Sequence, residues 1–115
     1  TFCPTNKIGH LAHIPNPDLR PDLVDEFLTS VEDNAAEISD VTVWVRGGTP
    51  NRKYDEILTD PIIVRSFVED KIIELGLVWR NVDIVWSEAF EVVDLKLDCL
   101  SGIFTSRSNE PRYRA

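Results

Sequence analysis

Lys7-Ile8-Gly9-His10-Leu11-Ala12-His13-Ile14-Pro15 is the stretch on which the reading of the whole chain turns. An apolar segment, Ile8 to Ile14, carries both histidines of the chain, ends on Pro15 and runs directly into a helical pattern. Read at period two, Ile8, His10, Ala12 and Ile14 share one face while Gly9, Leu11 and His13 share the other. A strand that delivers a histidine at its end, beside a loop, is a common seat for acid–base chemistry. It is also a place where the imidazole simply bonds a neighbouring backbone group.

Upstream of this stretch, Phe2 and Cys3 run into Pro4-Thr5-Asn6-Lys7, four residues with turn chemistry, so the two extended runs read as a hairpin. Downstream, Pro15-Asn16-Pro17-Asp18 is a loop that ends in a helix start. Leu19, Leu23, Val24, Phe27, Leu28 and Val31 recur at three- and four-residue steps and make one apolar helical face. Pro21 is tolerated only in the first turn, which starts the helix at Arg20 or Pro21. Asp22, Asp25 and Glu26 then lie near the positive end of its dipole.

The polar segment Glu32 to Asp40 leads to an inner strand, Val41 to Arg46, that stops at Gly47-Gly48. Glycines at a strand end allow a close approach to a ligand, and equally a plain turn. Asn51 to Thr59 reads as a polar surface loop. Asp60 as N-cap and Pro61 at the first position open a second helix. Ile63, Val64, Phe67, Val68, Ile72 and Leu75 form its apolar face, and Gly76 stops it.

Val82 to Trp86 is the next strand, broken by Ser87 to Glu91. Val93, Leu95, Leu97 and Cys99 alternate with Asp94, Lys96 and Asp98, a half-buried strand that assigns Cys99 to core packing. Leu100-Ser101-Gly102 turns the chain into the return strand Ile103-Phe104-Thr105. The order is β-β-α-β-α-β-β-β. It predicts an α/β fold, a layered α+β sandwich with a mixed β-sheet and two main helices. One domain spans residues 1–106, and 107–115 form a polar tail.

Composition bounds the function. A chain of 115 residues with 43% hydrophobic and 28% charged residues reads as one soluble globular domain. Its net charge of −8 argues against a nucleic-acid partner, since phosphate contacts need clustered Lys and Arg. The basic cluster Arg107, Arg112 and Arg114 falls in the tail. No apolar run approaches the about 20 residues of a membrane helix, and no signal-peptide pattern opens the chain.

Cys3 and Cys99 form no disulfide framework and no CxxC pair; a single bridge and two free thiols are both open, and the second suits a reducing cytosol better. His10 and His13 would point to opposite faces of a strand, so neither a metal nor a cofactor is expected. The chain opens at Thr1 without an initiator methionine, inside what reads as a strand, which suits a processed chain or a fragment.

Three stretches in order carry a resemblance. Lys7 to Pro15 resembles the histidine segment of the chemoreceptor glutamine deamidase family, CheD. Val43-Trp44-Val45-Arg46-Gly47-Gly48 resembles that family's apolar strand ending in Gly-Gly. Leu97-Asp98-Cys99-Leu100-Ser101-Gly102-Ile103 resembles its closing turn. The chain is similar as well to the eukaryotic protein N-terminal asparagine amidohydrolase family, with Leu11-Ala12-His13 standing for its Leu-Thr-His. The family's glycine pair and arginine near the penultimate strand are replaced here by Ser87-Glu88-Ala89-Phe90.

The resemblance implies a cysteine amidohydrolase acting on Asn or Gln side-chain amides of a protein or peptide substrate. His13 corresponds to the family histidine, which raises the thiolate fraction and protonates the leaving nitrogen. The family cysteine falls upstream of Thr1, on a missing segment or a second chain completing the sheet. Cys3, at the hairpin end of the same strand, is the alternative nucleophile. Two other readings are open: a non-catalytic protein-binding module of the same fold, and an N-terminal hydrolase using Thr1.

Overall fold

The computed structural model describes residues 1–14, 17, 19–48, 61–77, 79–87 and 92–109. Its elements are β1 (Phe2–Cys3), β2 (Ile8–Gly9), α1 (Pro21–Asn34), β3 (Val43–Gly47), α2 (Pro61–Leu75), β4 (Val82–Trp86), β5 (Val92–Asp98) and β6 (Ile103–Asn109). The class is mixed α+β, with two α-helices and six strands among the described residues, in the expected order. None of the described helices is long and apolar enough to cross a membrane.

The strands join in three pairs: β1–β2 antiparallel, β3–β4 parallel and β5–β6 antiparallel. A parallel pair needs a crossover, and α2 supplies it between β3 and β4. One antiparallel bridge, Phe2 with Thr42, ties the first hairpin to the entry of β3. The β5–β6 hairpin meets β3 through side chains. Phe104 stacks on Trp44 with ring centroids 4.7 Å apart, and Arg46 Nε donates to Ser106 Oγ at 3.3 Å.

Alternation along the strands sets the layers. Val43 and Val45 of β3 pack in or against a buried cluster of Cys3, Val31, Val41, Val43, Ile72 and Leu77, between the sheet and the helices. Their neighbours Trp44 and Arg46 turn to the β5–β6 hairpin. In β1 the same rule puts Cys3 in the helix-side cluster while the Phe2 ring lies against Gly102 of the hairpin turn. Each buried aliphatic of this cluster contributes roughly 1.5–3 kcal/mol.

Local chemistry accounts for the ends of the elements. Pro21 stands at the first position of α1, and Arg20 pairs with Asp22 at 3.0 Å across the helix start. Gly76 (φ +80°) closes α2 by donating its N–H to Ile73 O. In the β5–β6 turn Asp98 Oδ1 accepts from the N–H of Leu100 at 2.9 Å and Ser101 at 3.3 Å, which holds its carboxyl below the usual range. Gly102 (φ +74°) completes that turn in a conformation L side chains rarely adopt.

Several boundaries differ from the sequence reading. The β1–β2 ladder ends where Thr1 and His10 exchange backbone bonds of 2.8 and 3.0 Å, so Leu11 to Ile14 leave the strand expected for Ile8–Ile14. Cys99 is exposed, because β5 ends at Asp98 and the alternation ends with it. Ile63, expected on the apolar face of α2, is 57% exposed. β6 reaches Asn109 through its full pairing with β5, so residues 107–109 are strand where the tail was expected. The loop read at Asn51–Thr59, the Asp60 cap, Glu88 to Glu91 and residues 110–115 lie outside the described residues.

Candidate functional site

His13 lies just past the first hairpin, where the ladder has released the chain, and its side chain is exposed. It lines an open groove of about 360 Å³ between the His10–Ile14 segment and one face of α1. Leu23, Glu26, Phe27 and Ser30 form that helical wall, at steps of three, one and three residues, which keeps all four on one side of the helix.

His10 lines the same groove but is half-buried, its ring edge-on to Phe27 at 6.2 Å. Burial pushes its imidazole below the ordinary histidine value, and the ammonium of Thr1 pushes it the same way.

Cys3 faces elsewhere. It is 2% exposed, inside the core cluster. With Thr1, His10, Val31 and Asn34 it borders a narrow gap that has no room for a water molecule. Burial pushes the thiol up, while the backbone N–H groups of Ala36, Asn6, Glu37 and Thr5 push it down and prevail. The structure therefore places the two candidate residues in different settings: His13 on an open groove and Cys3 in a closed core. Only His10 borders both spaces.

Thr1 is closed off as well, at 8% exposed. Its ammonium donates to His10 O at 2.8 Å, and its buried Oγ1 has no hydrogen-bond partner. Burial lowers this amine to about 6, with the nearby Cys99 acting in the opposite direction.

Of the Gly47-Gly48 pair at the end of β3, Gly48 serves packing, while a Cβ on Gly47 (φ +113°) would meet nothing within 4 Å. A Cβ on Gly48 (φ +62°) would come within 2.7 Å of the Trp86 ring and 3.3 Å of Arg65 Nε. Arg65 on α2 donates to the carbonyls of Gly48 and Ser87 at 3.1 and 2.5 Å and lies over the Trp86 ring. The close approach that Gly48 permits is to this chain's own tryptophan and arginine.

Two contributions were missed in the sequence. Glu26 reads there as a helix-dipole residue, and only its spacing to Leu23 and Phe27 hints at a shared wall. Arg46 reads there only as the last residue of the inner strand Val41 to Arg46, with no role of its own. Its side chain is 13% exposed and bonds Asp83 Oδ2, the carbonyls of Asp83 and Val45, and Ser106, tying β3, β4 and β6 together. Among the described residues no group of three or more His, Cys, Asp or Glu side chains is placed to hold a metal ion. Comparison with family models, with curated proteins and with solved structures yields no match of any of the three kinds.

Proposed function

We propose that the chain carries the histidine half of a cysteine-type amidohydrolase that deamidates Asn or Gln side chains of peptides or proteins. The nucleophile comes from a strand lying on the line of β1 beyond Thr1, in the same chain or a second one. One observation supports this reading: the two registers that meet at β1. Phe2 faces Gly9 on one side and Thr42 on the other, both antiparallel. Each step back along β1 is a step forward along both neighbours. The third position before Thr1 would therefore face His13 on one side and Arg46 on the other.

Among the described residues, the edges that such a strand would fill carry no ladder partner. Leu11 to His13 lie outside any strand pair, and β3 is paired in register only with β4. Unpaired edges of this kind invite a strand. A cysteine placed there would stand beside an exposed imidazole and an open groove.

The chemistry is then a double displacement. The thiolate attacks the carboxamide carbon, and the tetrahedral adduct expels ammonia as His13 donates its proton to the leaving nitrogen. Water, deprotonated by the same imidazole, attacks the thioester. The carboxylic acid leaves and the thiol is restored. The net change is amide plus water to acid plus ammonia.

The test is ammonia release from Asn and Gln peptides by the complete protein, with the nucleophile strand present, and by its His13→Ala variant. Loss of at least a hundredfold in kcat with an unchanged circular-dichroism spectrum is expected. Equal turnover in the variant overturns the reading. A second reading, a protein-binding module without catalysis, draws on the burial of Cys3, which leaves Cys99 as the only exposed thiol of the two. Partner binding in the absence of any ammonia release would select it.

A further inference from the structure

The groove beside His13 has a chemical character beyond the reaction itself. Its walls are mostly apolar, from Leu11, Ile14, Leu23 and Phe27, and Glu26 supplies a carboxylate. The other acids in the first half of α1 are engaged: Asp22 with Arg20 at 3.0 Å and Asp25 with Lys71 at 2.8 Å. Glu26 has no hydrogen bond or ion pair among the described residues. It is the unneutralised charge of this groove, in a chain whose net charge is −8.

We propose that Glu26 is a specificity-determining residue that reads a basic side chain, Lys or Arg, on the peptide whose amide is presented to His13. The inference rests on the amidohydrolase reading for the identity of the peptide as substrate, and on the groove alone for its charge.

A long aliphatic stem ending in a cation matches this lining part by part. The methylenes cover the leucine, isoleucine and phenylalanine walls, and the head reaches the carboxylate. A chain-terminal ammonium has the charge but no stem to fill about 360 Å³ of groove. An acidic side chain would meet Glu26 as a like charge. The negative field of the whole protein draws a basic peptide toward the surface before contact. An exposed carboxylate gives a modest preference, on the order of two- to fivefold.

The experiment is isothermal titration of three peptides with one Asn or Gln target and a single neighbouring position set to Lys, norleucine or Glu. Each is titrated into the protein, Glu26→Gln and Glu26→Lys. The Lys peptide is expected to bind about two- to fivefold tighter than norleucine, with the Glu peptide weakest. Glu26→Gln removes the difference, and Glu26→Lys reverses it.

The same ranking in Glu26→Gln, or no binding of any peptide, overturns the proposal. Ammonia release is scored separately on the same peptides, with the complete protein that includes the nucleophile strand. A Glu26-dependent Lys preference without ammonia defeats the deamidase reading and leaves the groove assignment standing. Ammonia release with no charge preference does the reverse.

Discussion

Phe2 and Thr42 exchange both of their backbone hydrogen bonds, each at 2.9 Å, and this pair is the seam between the histidine hairpin and the rest of the protein. At the same point the Phe2 ring turns away from the helices onto the β5–β6 turn, where a Cβ on Gly102 would lie 2.8 Å from it. One residue thus anchors the hairpin by its backbone to β3 and by its ring to the opposite layer.

Truncating that ring is expected to cost about 3–5 kcal/mol, the usual range for a buried Phe→Ala change. Gly102→Ala should cost about 2 kcal/mol, from the strained φ of +74° and the contact with the ring. The contact part vanishes once the ring is gone, so the double variant should lose less than the sum of the two. Urea unfolding of the three variants checks this. Strict additivity would mean that Phe2 and Gly102 do not touch.

Arg46 is expected to matter for its many bonds more than for its ion pair. Its carboxylate partner Asp83 is 55% exposed, so Asp83→Asn should cost less than about 1 kcal/mol. Arg46→Met removes the donor to two backbone carbonyls and to Ser106, and the cation over Phe104, and should cost about 2–3 kcal/mol. Equal losses in the two variants would place the stabilisation in the ion pair after all.

The two thiols should differ in reactivity under native conditions. Cys99 is exposed and Cys3 is buried in the core, so iodoacetamide should add one group to the folded protein and two in denaturant. Peptide mapping by mass spectrometry locates the label. Native labelling of Cys3 at a rate matching Cys99 would reopen Cys3 as a nucleophile and contradict its burial.

Stability should rise with pH through the ordinary histidine range. Burial against Phe27 holds the His10 imidazole below its ordinary value in the fold, so between the folded and unfolded values the unfolded chain binds more protons. Its contribution is complete above the unfolded value and is lost as pH falls through the folded one. Urea midpoints at about pH 5, 6 and 7.5 test the slope. A flat profile, or one falling with pH, would show the imidazole solvated in the folded protein. His10→Gln should flatten it.

Much of this architecture was legible in local pattern. Pro21 and Pro61 mark the helix starts, Gly76 the stop of α2, and the run Val82–Trp86 appears as β4 with the same bounds. Of the candidate site, His13 could be read as a histidine leaving a strand. Its groove could not, because half of the wall belongs to α1. The register between those walls depends on how Phe27 meets the ring of His10. Cys99 was misplaced because period two was carried one residue past the end of β5, into a turn governed by Asp98 and Gly102.

The sequence by itself determined the elements, their order and the faces they offer, since these follow from apolar spacing and from the fixed backbone habits of Pro and Gly. Only the tertiary structure decided which face meets which layer. Alternation says that Phe2 and Cys3 point apart, but not which one goes to the helices. That choice, and with it the burial of Cys3 and the opening of the groove at His13, is made by the long-range Phe2–Thr42 bridge and by packing against Val31 and Ile72. These contacts join segments distant in the chain, and the cost of bringing them together is met by burial that no local pattern records.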